Sequence, residues 1–404
     1  MPILAMAWRN IWRNGRRSAV TIAAMALGLW VMVLYSGLVH GMLLDMATSV
    51  TDMELGELQI VAPGYRDDPS LHRIIEDDAA LLERLDALGY ASSARLLGGG
   101  LAAVDKASAG VTIIGLDPVR DARVSALHTR IERGSWLDPA DPRGVVIGGK
   151  LARTLHADIG DELLVLSQAA DGSIANDLYT IRGTLAPVGD AIDRTTVLMT
   201  MEAFRDLMVL PTGAHQVTVR APPPAVLDDA RAAVEAAAPG LEVRTWRELV
   251  PVVAQWLDGT RALVGIIYAI MYLAIAILVL NAMLMAVFER IREFGVMKAI
   301  GYPPGTVFSL IMLESALQTA VATGVGLVLA VPVGLYLQET GIDLGALAGM
   351  NIMGLNMMEN WRAVYTVEAV SMPLFMLWFM VLAAALLPAL RAAAIKPVIA
   401  MRYR

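Results

Sequence analysis

Four stretches of this chain are long and apolar enough to cross a lipid bilayer. A helical span needs about 20 apolar residues to traverse roughly 30 Å of hydrocarbon, with every backbone polar group bonded inside the helix. Residues 18–38 (SAVTIAAMALGLWVMVLYSGL) form the first run, 263–288 the second, 307–337 the third and 371–390 the fourth. The third contains Pro332 and exceeds one crossing, so a kink or a protruding end is expected there. The first follows Arg9, Arg13, Arg16 and Arg17. It outruns the roughly 7–15-residue apolar core of a signal peptide and reads as an uncleaved anchor.

Charge orients the spans. Basic residues concentrate in loops that stay inside, and the segments 1–17, 289–305 and 391–404 together hold 11 of them. The segment 338–370 has only Arg362, against Glu339, Asp343, Glu359 and Glu368. Both termini are therefore expected on the cytoplasmic side. Residues 40–260 then fall outside, with 32 acidic and 19 basic residues, a net charge of −13. That acidity leaves no basic face for nucleic acid. The fold expectation is a membrane protein with four transmembrane α-helices (18–40, 261–288, 306–337, 371–390) and a large α+β extracytoplasmic domain, 41–260, inserted between helices 1 and 2.

Inside that domain, alternation predicts strands at 56–62, 111–116, 162–166, a strand pair at 179–185 and 196–200, and a further strand at 216–220. Amphipathic spacing predicts helices at 77–88, 149–156, 201–208 and 227–237, the last after a joint at Pro222, Pro223 and Pro224. Two small lobes are one way to arrange these. Flanking the domain, Val39, Met42, Leu43, Met46 and Val50 line one helical face, as do Leu249, Val252, Val253, Trp256 and Leu257. Thr245 and Glu248 have the spacing of a capping box that would start the second helix. Both spans are thus expected to continue outward as a packed stalk, with Met42, Leu43, Met46, Leu249, Val253 and Trp256 at its seam.

The chain has no cysteine, which excludes disulfides and thiolate sites. Its five histidines have no metal-ligand spacing, and no G-x-S-x-G nucleophile motif occurs. Residues 144–150 (GVVIGGK) fit a P-loop up to its lysine, but Leu151 stands where Mg²⁺ needs a hydroxyl. The segment reads as a strand turning into a helix. No ATPase motif or metal site is therefore expected, and the chain does not read as an enzyme. The most specific signal is 289–301 (ERIREFGVMKAIG), a short charged amphipathic helix between two long apolar ones, with Ile291, Phe294 and Met297 on one face. Glu314 lies about two turns into the third span, where a carboxylate at mid-bilayer would cost about 2.5–3.5 kcal/mol. It is expected near the cytoplasmic side with a structural partner. Ala322 and Gly326 form a small-xxx-small pair that would let two helices meet closely.

Residues 289–301, the Pro-containing turn and Glu314-bearing helix that follow, the tail 388–402 (PALRAAAIKPVIAMR), the start AWRNIWRNGRRS and VVIGGKLARTLHADIGDELLVL resemble the MacB/FtsX/LolC–LolE permease family, closest in layout to lipoprotein-releasing permeases. The resemblance implies a dimer, with a second permease subunit identical or related to the first. It also implies a cytoplasmic ABC ATPase dimer that binds ATP and Mg²⁺, the permease itself carrying no cofactor. Residues 1–17 would be an elbow helix at the membrane surface. Glu289, Arg290, Arg292, Glu293, Gly295, Lys298 and Gly301 would form a coupling helix contacting the ATPase, whose motion the stalk would transmit outward. Within the family, lipoprotein release or export of an amphipathic substrate is expected first, with membrane lipids and a periplasmic carrier or adaptor as further partners. MacB-like efflux of a peptide or small molecule and FtsX-like control of a wall hydrolase are the alternatives; MacB exporters usually carry a fused N-terminal ATPase and FtsX proteins a smaller outer domain. A sensor without any ATPase is the reading outside the family.

Overall fold

The computed structural model describes residues 2–13, 15–222, 226–344, 351–352, 355–356 and 360–396. Pro223 and Pro224, parts of the loop 338–370, and Arg402 and Arg404 of the basic tail lie outside these residues. The chain forms two compact units: Met1–Leu44 with Leu257–Asp343 and Asn360–Arg404, and Asp45–Trp256 with Leu344–Glu359.

The first helix, α1 (Pro2–Arg13), buries Ala7 and Ile11 and leaves Trp8 and Trp12 exposed. After it comes α2 (Gly15–Val50), whose 36 residues reach about 54 Å, well beyond one hydrocarbon thickness. A five-residue π-turn, Thr51–Leu55, ends α2 at Gly56. Gly56 has φ +66°, and a Cβ there would lie 2.4 Å from the Thr218 side chain, so both the backbone and the space call for glycine.

In chain order the second unit is built from β1 (Leu58–Val61), α3 (Asp78–Ala87), β2 (Ala91–Val104), β3 (Ala107–Leu116), α4 (Pro118–Asp121), β4 (Ile131–Gly134) and β5 (Gly144–Gly148). Then follow α5 (Gly149–Leu155), β6 (Glu162–Gln168), β7 (Ile174–Leu185), α6 (Asp190–Thr195), β8 (Thr196–Thr200), α7 (Met201–Met208), β9 (Gln216–Arg220), α8 (Leu227–Ala237), β10 (Glu242–Thr245) and α9 (Trp246–Leu249). The strands make one sheet in the order β10-β1-β9-β2-β3-β8-β5-β7-β4, with β6 bridging β2 and β7. The two strands predicted as a pair, β7 and β8, are separated by β5, which bonds to both. Three apolar clusters pack on this one sheet, so the two-lobe division does not appear as two sheets.

Where the chain enters and leaves this unit, the two ends are neighbours. β1 runs antiparallel to β10, Leu58 opposite Thr245. Asp52 in the π-turn pairs with Arg220 of β9 and accepts the Ala126 N–H on its carbonyl at 2.6 Å. Trp246 N–H donates to the Glu57 carbonyl at 3.0 Å.

The return to the first unit begins with α10 (Pro251–Glu289), followed by α11 (Ile291–Ala299), α12 (Pro304–Glu339) and α13 (Val367–Ala394). With α2, the helices α10, α12 and α13 are, among the described residues, the four long and apolar enough to span a membrane. Their shared core joins Met25, Leu29, Tyr272, Val279, Ala322 and Leu377. At Pro332, where a kink or a protruding end is expected, α12 continues through the proline and runs for 36 residues in all, Pro304–Glu339. The small pair works inside the chain, since Ala322 is buried in this core and Gly326 faces the Ala26 carbonyl and Leu29 of α2. Outward, Ile266, Ile270, Leu273 and Ile277 of α10 stay exposed, the apolar face a bilayer requires.

Candidate functional site

The short helix α11 is set off by sequence at both ends. Arg290 leaves helical geometry (φ −109°, ψ 11°), which separates α11 from the 39-residue α10. At the far end Gly301 has φ +103°, Gly301 N–H donates to the Lys298 carbonyl at 3.2 Å and Tyr302 N–H to the Met297 carbonyl at 3.1 Å. This is a Schellman stop with glycine in its C′ place. Pro303 and Pro304 then start α12.

The inner face of α11 is fixed to the first unit by contacts of three kinds. Ile291 and Phe294 are buried, Phe294 among Val287, Val307, Leu310, Ile311 and Ala389. Arg290 Nη1 donates to Glu314 Oε2 at 3.0 Å and its Nε to Glu293 Oε2 at 3.1 Å, while its guanidinium lies 5.2 Å from the Phe294 ring centre. Lys298 Nζ donates to the carbonyls of Ala393 and Ile395, 2.6 Å each, and so holds the end of α13. On the surface, Arg13 of α1 grips both Glu293 oxygens at 2.8 Å, and Arg17 of α2 donates to Glu289 at 2.9 Å. Burial pushes the Glu293 carboxyl up, but hydrogen bonds and charge from Arg13 and Arg290 outweigh that and hold it below the ordinary glutamate range.

Three residues that the sequence groups with the ATPase contact are therefore committed elsewhere. Arg290 and Gly295 are buried, and the Lys298 ammonium is occupied by the α13 carbonyls. The reason is geometric: a charge predicted to face outward turns inward when a buried carboxylate, here Glu314, or a helix C-terminus needs it. Gly301 serves to end the helix. Glu289, Arg292 and Glu293 remain exposed. The outward face also presents Val296, Ile300 and Tyr302, at 46%, 70% and 44% exposure. Sequence reasoning passed over Val296 and Ile300, although their i, i+4, i+8 spacing from Arg292 marks the face opposite Phe294.

Of the stalk residues, Leu43 and Val253 are buried, while Met42, Met46, Leu249 and Trp256 are half-buried. Leu249 is not on the same helix as Val253 and Trp256. The capping box at Thr245 and Glu248 starts the four-residue α9 instead, which ends at Val250 (φ −125°, ψ 68°). Pro251 forces this break, because proline drives the preceding residue out of helical geometry.

GVVIGGK is strand β5 running into α5. A Cβ on Gly148 would lie 2.4 Å from the carbonyls of Ile192 and Asp193, and Lys150 pairs with Asp190 at 2.6 Å. Close packing of α6 accounts for the glycine, and a carboxylate occupies the lysine. Among the described residues no three His, Asp or Glu side chains converge as metal ligands.

Residues 18–237 match the MacB-like periplasmic core domain family, and residues 265–397 match the FtsX-like permease C-terminal family. Over 372 residues the chain is 24% identical to the macrolide export ATP-binding/permease protein MacB of Rhodospirillum rubrum, covering 87% of this chain and 53% of that protein. The chain thus spans about half the length of that curated relative. Among solved structures it is similar to the periplasmic region of MacB from Actinobacillus actinomycetemcomitans (TM-score 0.35, 10% identity, 49% of this chain and 91% of that one). It is also similar to the extracellular domain of the noncanonic ABC-type transporter YknZ from Gram-positive bacteria (TM-score 0.35, 11% identity, 46% and 98%). The first match takes in α2 and the sheet strands from β1 to β9, the second takes in α11 with the spans around it, and the chain belongs to the MacB/FtsX family of ABC transporter permeases.

Proposed function

We propose that the chain converts ATP hydrolysis on the cytoplasmic face of a bacterial inner membrane into movement of its periplasmic domain. A dimer of ATP-binding cassette subunits, which binds ATP and Mg²⁺, docks on the outward face of α11 through Arg292, Val296 and Ile300. A second permease subunit, identical or related, completes the transmembrane unit. The observation that supports this reading is the two-sidedness of α11. Its inner face is locked to α10, α12 and α13 by buried apolar contacts and the Arg290–Glu314 pair, so a push on the outer face displaces helix ends and not a loose loop. The helices α2 and α10, each unbroken for 36 residues or more, continue past the hydrocarbon and carry the displacement onward.

The favoured task is release or export of a lipid-anchored or amphipathic substrate, handed to a periplasmic carrier or adaptor. Drawing an acyl chain out of a bilayer costs about 0.8 kcal/mol per CH₂, or on the order of 10 kcal/mol for a chain of middle length. A cost of that size requires coupling to ATP. MacB-like efflux and FtsX-like control of a wall hydrolase are the competing tasks within the family.

The test is co-reconstitution of the chain with its ATPase in liposomes, comparing wild type with Arg292→Glu and Val296→Glu. Both variants are expected to insert normally and to lose about tenfold in ATPase affinity, equivalent to roughly 1.4 kcal/mol. Wild-type affinity in both would reject α11 as the docking face. A wild-type complex that hydrolyses ATP but never transfers a lipoprotein to a soluble carrier would reject the favoured task and leave the docking face standing.

A further inference from the structure

Beside Arg290 the first unit holds a partly open polar cavity of about 20 Å³, lined by α1, α2, α10 and α12 together with Arg290. Three polar atoms at its wall are buried without a hydrogen-bond partner among the described residues: Asn10 Nδ2, Arg17 Nη2 and Gln318 Oε1. Gln318 is only 5% exposed, and Glu314, 7% exposed, shares the same wall. Each such orphan is destabilising when left dry, because it has given up water and gained no partner. Three on one cavity are not an accident of a single rotamer.

The set has a definite chemistry. Two orphans are donors and one is an acceptor. A water molecule accepts two hydrogen bonds and donates two, so it meets all three and has one O–H left for the Glu314 carboxylate. The volume agrees, since one water needs roughly 10–15 Å³ of such space and two to four polar partners. A halide could accept from Asn10 and Arg17. It would leave the Gln318 carbonyl unmet and place a second negative charge beside Glu314.

We infer that this cavity is a hydration site for a single ordered water that completes the Arg290–Glu314 network and joins α1, α2 and α12 at the base of the bundle. The inference is independent of what docks on α11. A bridging water is nearly as good as a direct hydrogen bond, so it would link the three helices where their side chains do not reach one another.

The deciding measurement uses the sign of a stability change in the full chain in detergent. In Gln318→Met an apolar side chain of similar size replaces the orphaned amide. If the water is present, the variant loses its bonds and the melting temperature falls by several degrees. If the cavity is dry, the variant is relieved of a buried unmet acceptor, and an unchanged or raised melting temperature overturns the inference. A wild-type cryo-EM map, which does not depend on the variant folding, should show a density peak within hydrogen-bond distance of Gln318 Oε1 and Asn10 Nδ2; empty density there at a resolution that shows other ordered waters would equally overturn it. Replacing chloride by gluconate should leave the wild-type melting temperature unchanged, and a fall would assign the site to a halide.

Discussion

In the extracytoplasmic sheet, Arg95 of β2 donates from Nε and Nη2 to the two carboxylate oxygens of Asp121, at 2.8 and 3.1 Å, with side chains 2% and 0% exposed. Burial pushes the Asp121 carboxyl up, but the charge and hydrogen bonds of Arg95, with one from Ser125, outweigh it and keep the carboxyl below the ordinary aspartate range. Arg95→Met should cost about 3–5 kcal/mol, because it strands a buried charge, while adding Asp121→Leu should recover much of that loss. Thermal unfolding of the purified chain checks the order; a double variant worse than the single one would contradict it. His215, also fully buried, accepts the Leu97 N–H on Nδ1 at 2.9 Å, so its proton sits on Nε2, 3.2 Å from the Leu71 carbonyl. Burial lowers its pKa, and the Leu71 bond only partly opposes this. The unfolded chain, with an ordinary histidine near 6.5, then binds the proton more readily than the folded one. Stability should therefore hold above about pH 6.5 and fall as the pH drops below it. His215→Gln should flatten that slope in a pH series of melting temperatures.

Glycines decide two elements that composition disguises. In α2, Gly37 and Gly41 stand one turn apart beneath the segment 361–365: Val364 N–H donates to the Gly37 carbonyl at 2.9 Å and Trp361 Nε1 to the Leu38 carbonyl at 2.7 Å. A Cβ on Gly41 would lie 1.9 Å from the Arg362 carbonyl and one on Gly37 2.3 Å from the Tyr365 ring. Gly41→Val should therefore dislodge this strap and make residues near Arg362 more accessible to trypsin, with the spans still inserted. Unchanged digestion would show that the strap does not depend on the close approach. In the sheet, β2 carries Gly98, Gly99 and Gly100 and was not predicted, because glycine has low strand propensity. Packing explains its use, since a Cβ on Gly100 would meet the Leu166 carbonyl of β6 at 2.5 Å. Pro251 was equally visible in the sequence, yet the apolar stripe across it read as one helix. Periodicity reports a face and does not report a broken backbone.

Across the whole molecule, the asymmetry of charge makes the strongest prediction: the loop bearing Arg292 and the acidic domain are expected on opposite sides of the bilayer. A chain with no cysteine allows a clean test. Single variants Arg292→Cys and Asp171→Cys, both at exposed positions, should react with a membrane-impermeant maleimide from opposite sides of sealed vesicles. Labelling of both from one side would remove the mechanical reading of α11. Length, hydropathy and charge determined the four spans, their order and the acidic domain between the first two, because the bilayer acts on local sequence: about 20 apolar residues insert wherever they occur. The inward turn of Arg290 and Lys298, the burial of Gly295, the break at Pro251 and the water-sized cavity under Glu314 were decided only by tertiary structure. Which charge faces out and which pairs inside depends on residues such as Glu314, Phe294 and Ala393, up to 95 positions away in the chain. No local pattern records such a partner.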